Sequence, residues 1–166
     1  MEFSLWLRHI KKTYKKIQGD FPNTKINDFP AYDWIDTVVH AGIHHRVIGV
    51  EELSELTQYP VIKNIESTED QKYGFKSIED FPYPWGYEMR FTNKKLKSGL
   101  KILFIRDSFS RQMMPFIREV FAESVFIFDA WRYQFNKPII DAVKPDIVVY
   151  LVLETHLESM LKDYDD

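Results

Sequence analysis

Apolar and polar positions follow two different periods along this chain, dividing it into a helical start, a less regular middle and a strongly patterned last third. Phe3, Trp6, Leu7, Ile10, Tyr14 and Ile17 recur at three- and four-residue steps, with Lys11, Lys12, Lys15 and Lys16 on the opposite face. That spacing predicts an amphipathic helix over residues 3–18 with a solvated lysine face, stopped by Gly19 and Pro22. Residues 34–39 are β-branched and aromatic and predict a short strand. Residues 50–57 predict a short helix that ends before Pro60, and residues 61–65 another strand. Acidic residues, Gly74, Pro82 and Pro84 make residues 66–86 mostly loop. Tyr87 to Thr92 alternates as a strand with one wet face, and the lysines between Asn93 and Lys101 form a solvated connector.

The last third is the clearest. Lys101 to Arg106 is a short apolar run of the kind shown by a parallel strand covered on both faces. Phe109, Met113, Phe116, Ile117, Val120 and Phe121 follow at helical spacing, with Pro115 near the first turn, where a missing N–H is tolerated. Residues 124–128 predict a second buried strand, 138–143 a short helix and 147–153 a third strand. Leu157, Met160 and Leu161 predict a final amphipathic helix. Residues 100–166 are thus a β-α-β-α-β-α unit, which calls for parallel pairing and right-handed crossovers. The fold class is α/β, an open parallel sheet with helices on both faces, and residues 1–166 fit a single domain. In such sheets ligands bind outside the carboxyl ends of the strands, and Ser108 falls at that edge.

Composition narrows the functions open to this fold. A formal charge of −3 argues against a nucleic-acid footprint. No apolar run approaches the length of about 18 residues that suggests a membrane span, and charges interrupt the opening residues too soon for a signal peptide. With no cysteine, disulfides, thiol catalysis and cysteine-ligated metals are excluded. No cofactor is implied.

Arg106, Asp107, Ser108, Phe109 and Ser110 form the motif that carries chemistry. A strand turning sharply into a helix exposes a serine hydroxyl at the sheet edge, with the first N–H groups of the helix directed at an oxyanion. A plainer reading has Asp107, Ser108 and Ser110 capping that helix. His156, beyond the last strand, reaches the same edge and is the internal candidate base, with Glu154 beside it; otherwise it is an exposed residue in a first helical turn. Trp131 and Arg132 follow the second buried strand, where they would stack on sugar rings or simply pack. His40 and His44 have the spacing of a helical zinc pair, with His45 adjacent, but Gly42 and the β-like run before it argue against a helix.

The segment LKILFIRDSFSRQMMPFIREVFAESVFIF, the later KPDIVVY and the FPN at 21–23 resemble the SGNH-hydrolase-like domains of the AlgX/AlgJ family, which includes alginate O-acetyltransferases. The resemblance implies a flavodoxin-like sheet, Ser108 as acyl-transfer nucleophile with Asp107 as its motif neighbour, and Arg106 in substrate binding. It also implies a carbohydrate or acyl-donor partner and an extracytoplasmic site of action in bacterial polysaccharide modification. The chain departs from the family at its start. Met1, Glu2, Phe3, Ser4, Leu5 and Trp6 stand where members carry an Asp-x-His-Trp motif, and Ile43 replaces an acid. This predicts an N-terminally truncated domain, self-associating through an open edge or completed in trans. In serine triads the loss of the histidine lowers turnover by a factor on the order of 10⁶. Two functions follow: an SGNH-type carbohydrate O-acyltransferase or esterase, or an inactive relative that binds polysaccharide or protein.

Overall fold

The computed structural model describes residues 3–24, 26–40, 54–76, 86–96, 98–128 and 136–151, with the side chains of 3–6, 39–40, 54–55 and 109 excepted. Helix α1 spans Phe3–Asp20. Its apolar stripe is the predicted one, with Leu7, Ile10 and Ile17 buried and Tyr14 packed beside them. No helix among the described residues is long and apolar enough to cross a membrane.

Strands β1 (Tyr32–His40) and β2 (Ser54–Ile62) pair antiparallel along their whole length, from Tyr32 opposite Ile62 to His40 opposite Ser54. The helix expected over residues 50–57 is therefore overturned for 54–57, where the chain is extended. Its few apolar repeats are outweighed by pairing with β1, and Thr57, Tyr59 and Val61 suit a pleated ribbon better than a helix. The strand expected over 61–65 reduces to the last two residues of β2. Tyr32 and Ile62 at the ribbon's base pack on the main core, whereas Val38 and Leu56 farther out stay exposed.

The main sheet has the order β3-β4-β6-β5-β7, from β3 (Ser67–Glu69), β4 (Glu88–Asn93), β5 (Lys101–Arg106), β6 (Glu123–Phe128) and β7 (Ile147–Leu151). Strand β5 is flanked by β6 and β7, both parallel to it, as the β-α-β alternation requires. The sheet is not parallel throughout, because β4 joins β6 antiparallel and β3 joins β4 antiparallel. Helices lie on both faces. Ile102, Phe104 and Phe126 face α1 and the helix α2 (Met114–Val120). Leu103, Ile105, Val125 and Ile127 face Ile139 and Val143 of α3 (Lys137–Val143). Asn136 caps α3 by accepting from the Ile139 N–H, and Lys144 closes it in the left-handed conformation with φ 49°.

Carboxylates tie the periphery down. Glu119 at the end of α2 is buried and accepts from Ser67 Oγ and from the backbone N–H groups of Glu66 and Ser67 at 2.8 and 3.2 Å. Glu88, also buried, accepts from the N–H groups of Tyr73, Gly74 and Phe75. Glu123 accepts from Tyr73 Oη at 2.7 Å and Arg90 Nε at 3.0 Å, with Lys101 Nζ 3.1 Å away. Burial by itself raises the Glu123 pKa. The hydrogen bonds from Tyr73, Arg90 and Lys101 more than offset that and hold it below its ordinary value. A depressed carboxyl stabilises the fold above its unfolded pKa, and that stabilisation is lost as pH falls through the folded value. Glu123→Gln is expected to lower stability at pH 7 by about 1–3 kcal/mol and to flatten its decline below about pH 5. Urea titrations at pH 7 and pH 4 check this; an unchanged difference between the two pH values in the variant contradicts it.

Candidate functional site

Strand β5 is buried from Ile102 to its last residue, and that residue is an arginine. Arg106 is 0% exposed. Its guanidinium lies 5.1 Å from the Phe128 ring centroid, on the neighbouring strand, and Nη2 approaches Met89 Sδ at 4.0 Å. Desolvation pulls its pKa down to about 10; the Asp107 charge opposes this and the Arg111 charge adds to it. The side chain remains a cation at neutral pH.

The chain leaves the sheet immediately afterwards. Asp107 is buried, and its carbonyl accepts from Arg106 Nη1 at 3.1 Å and from Ser110 Oγ at 2.8 Å. Residues Ser108–Gln112 form a 3-10 turn, continued by a bond from the Met113 N–H to the Ser110 carbonyl at 2.8 Å. Two side chains thus clamp one carbonyl, and the backbone between them turns outward. Ser108 sits on that turn and is exposed, while Asp107 before it and Ser110 after it are buried. Its hydroxyl has no hydrogen-bond partner among the described residues.

Two expectations change here. The helix expected from Phe109 to Phe121 is a 3-10 turn followed by the seven-residue α2, with Pro115 in its first turn. The reading of Asp107, Ser108 and Ser110 as helix caps is not realised at α2, because Met113 holds its N-cap position without a side-chain bond and Ser110 donates backward to Asp107. The physical reason is local: the hydroxyl competes for a carbonyl within reach and tightens the turn into 3-10 geometry.

The other predicted site residues divide as follows. Arg106 lies within two residues of Ser108, but as a buried group beneath the turn rather than an open surface contact. His156, Glu154, Trp131, Arg132, His44 and His45 lie outside the described residues. His40 closes β1, so it does not begin the helical His40–His44 pair. The sequence reading passed over Arg111 and Arg118, which line a crevice together with Arg106. Their signal was faint, since isolated arginines in a turn and a helix read as solvated.

No protein-family model matches this chain, and no curated protein matches it significantly. Solved structures do. A DHHW family protein from Eubacterium siraeum aligns with a TM-score of 0.51 and 14% identity, over 80% of this chain and 51% of that one. Bacillus cereus PatB1 with a sulfonyl adduct aligns with a TM-score of 0.51 and 14% identity, over 90% of this chain and 58% of that one. A second structure of PatB1 gives a TM-score of 0.51 and 12% identity, covering 89% and 59%. The chain spans just over half the length of these proteins. At such identities the likeness establishes the fold, an SGNH-like α/β architecture.

The two serines of the turn are expected to differ in structural weight. Ser110→Ala removes a buried bond to the Asp107 carbonyl and should lower stability by about 1 kcal/mol. Ser108→Ala, at an exposed hydroxyl, should change it by less than about 0.5 kcal/mol. Urea midpoints for the two variants check this, and equal losses would show that Ser108 holds the turn rather than standing free on it.

Proposed function

We propose that this chain is the nucleophile-bearing part of an SGNH-type carbohydrate O-acyltransferase or esterase, related to the AlgX/AlgJ acetyltransferases, with Ser108 as the nucleophile. The observation that carries the reading is the exposure of Ser108 between the buried Asp107 and Ser110, in a clamped turn at the carboxyl end of the central strand. A side chain with no hydrogen-bond partner among the described residues, presented where open α/β sheets bind ligands, fits a group kept for chemistry. The PatB1 structure with a sulfonyl adduct adds support from a protein of like fold, since a sulfonyl adduct forms when a nucleophile attacks sulfur.

In the proposed reaction Ser108 Oγ attacks the carbonyl carbon of an acyl donor, and its proton passes to a base. The tetrahedral oxyanion collapses, the C–O bond to the donor breaks, and the donor alkoxide takes the proton back. The acyl-serine is then attacked by a sugar hydroxyl, or by water in an esterase, which restores Ser108. His156 is the proposed base, since the chain order puts it just beyond β7, the strand next to β5. Glu154 would orient it, and Trp131 and Arg132 would face the sugar. The exposed position of Ser108 also suits a site completed by a second polypeptide that supplies the Asp-His pair.

The test is labelling of the folded chain with a fluorophosphonate. Labelling is expected for the wild type, absent in Ser108→Ala, and slowed by a factor of about 10² or more in His156→Ala. A folded wild-type chain that stays unlabelled, alone and with a supplied Asp-His segment, removes the catalytic reading and leaves that of a polysaccharide- or protein-binding relative. Labelling that survives Ser108→Ala moves the nucleophile elsewhere.

A further inference from the structure

Helix α1 carries Arg8, Lys11, Lys12 and Lys15 at steps of three and four residues, a stripe of cations along one side. With Leu7 and with Tyr32 of β1 they line a hollow of about 340 Å³ that has no carboxylate in its described lining. None of the four forms an ion pair among the described residues, whereas Lys16 pairs with Asp20. Like charges four residues apart, Arg8 with Lys12 and Lys11 with Lys15, work against a helix. Lys11 is held in place: its Nζ donates to Tyr32 Oη at 2.9 Å and lies 4.9 and 5.5 Å from the ring centroids of Tyr32 and Phe29. Arg8, Lys12 and Lys15 are exposed. In a chain of net charge −3 the stripe is a local reversal of sign.

An apolar surface adjoins it. Tyr32 meets Trp34 edge-on with ring centroids 5.8 Å apart, and alternation along β1 places Val38 on the same face. Leu56 of β2 lies opposite Val38 and shares that face. Trp34, Val38 and Leu56 are 40%, 53% and 71% exposed, so exposure increases outward along the ribbon from Tyr32, which packs on the core. The one described carboxylate on this face, Asp36, is engaged by Gln58 Nε2 at 3.2 Å. A two-stranded ribbon holding large apolar side chains in water is marginal by itself and gains from a cover.

We propose that the cationic stripe and the apolar ribbon face together dock on an anionic phospholipid bilayer surface. The four cations match headgroup phosphates. Trp34, at the junction, suits the interfacial level where indole rings settle, and Val38 and Leu56 suit the acyl boundary beneath. The pairing decides among partners. A water-soluble polyanion would leave Val38 and Leu56 wet, and a neutral apolar partner would leave the cations unmatched. None of these residues belongs to the Ser108 turn, so the docking is independent of the acyl-transfer reading.

Flotation of the full chain with phosphatidylcholine vesicles, with and without an equal part of phosphatidylglycerol, tests the proposal. The chain is expected to float with the anionic vesicles only, and less so as salt is raised. Lys15→Gln is expected to weaken binding about fivefold, and Arg8→Gln, Lys12→Gln and Lys15→Gln together about a hundredfold. Leu56→Thr, which puts a β-branched residue in the strand, is expected to weaken it about tenfold. All these positions are exposed, so circular dichroism spectra should be unchanged. Absence of binding to the anionic vesicles, equal binding to the neutral ones, or wild-type affinity in the folded triple variant overturns the proposal. Wild-type affinity in Leu56→Thr, or polyglutamate bound as tightly as the anionic vesicles, overturns the bilayer assignment.

Discussion

Strand β5 pairs along both edges and is covered on both faces, so whatever polar group it carries must be satisfied inside the sheet or at its ends. Its run from Ile102 to Ile105 meets that constraint with side chains that ask for nothing. Arg106 does not. Placed at the last paired position, it donates to one strong acceptor among the described residues, the carbonyl of the next residue, and that bond forms where the chain leaves the sheet at Asp107. Ser110 grips the same carbonyl from the other side, and Ser108 between them is turned out to solvent. The exposure of the candidate nucleophile thus follows from how a buried cation is accommodated at the end of a central strand.

The two ends of the sheet deal with charge differently. Toward the amino end of β5 and β6, Glu123 gathers Tyr73, Arg90 and Lys101, while Glu119 ties β3 to the end of α2. These carboxylates are matched by donors on the chain itself, and the result is a closed network that stabilises the frame. At the carboxyl end Arg106, Arg111 and Arg118 line a crevice together with Met89, Phe91 and Met114.

Much of the frame was legible from periodicity because the elements concerned bury large apolar faces. The stripe of α1, the run of β5, the strand β6 and the capped helix α3 each satisfy a local pattern and a tertiary demand at once. Where the two disagreed, the reading failed. Residues 54–57 carry a weak helical repeat, yet they pair with β1 because the partner strand lies far away in sequence and no local period reports it. The helix after Ser108 was read one turn too long, since a single hydroxyl-to-carbonyl bond from Ser110 converts its start to 3-10 geometry. The antiparallel addition of β4 was equally hidden, because alternation marks a strand without naming its neighbour.

The sequence alone determined that an apolar strand ends at Arg106, that a polar turn with Ser108 follows, and that the surrounding elements alternate as an α/β sheet; hydrophobic period and chain order carry that information directly. Only the tertiary structure decided that Ser108 is exposed while Ser110 is buried, and that Arg106, Arg111 and Arg118 converge from a strand, a turn and a helix on one crevice. Burial and convergence depend on which elements pack together, and packing joins residues that no spacing along the chain relates.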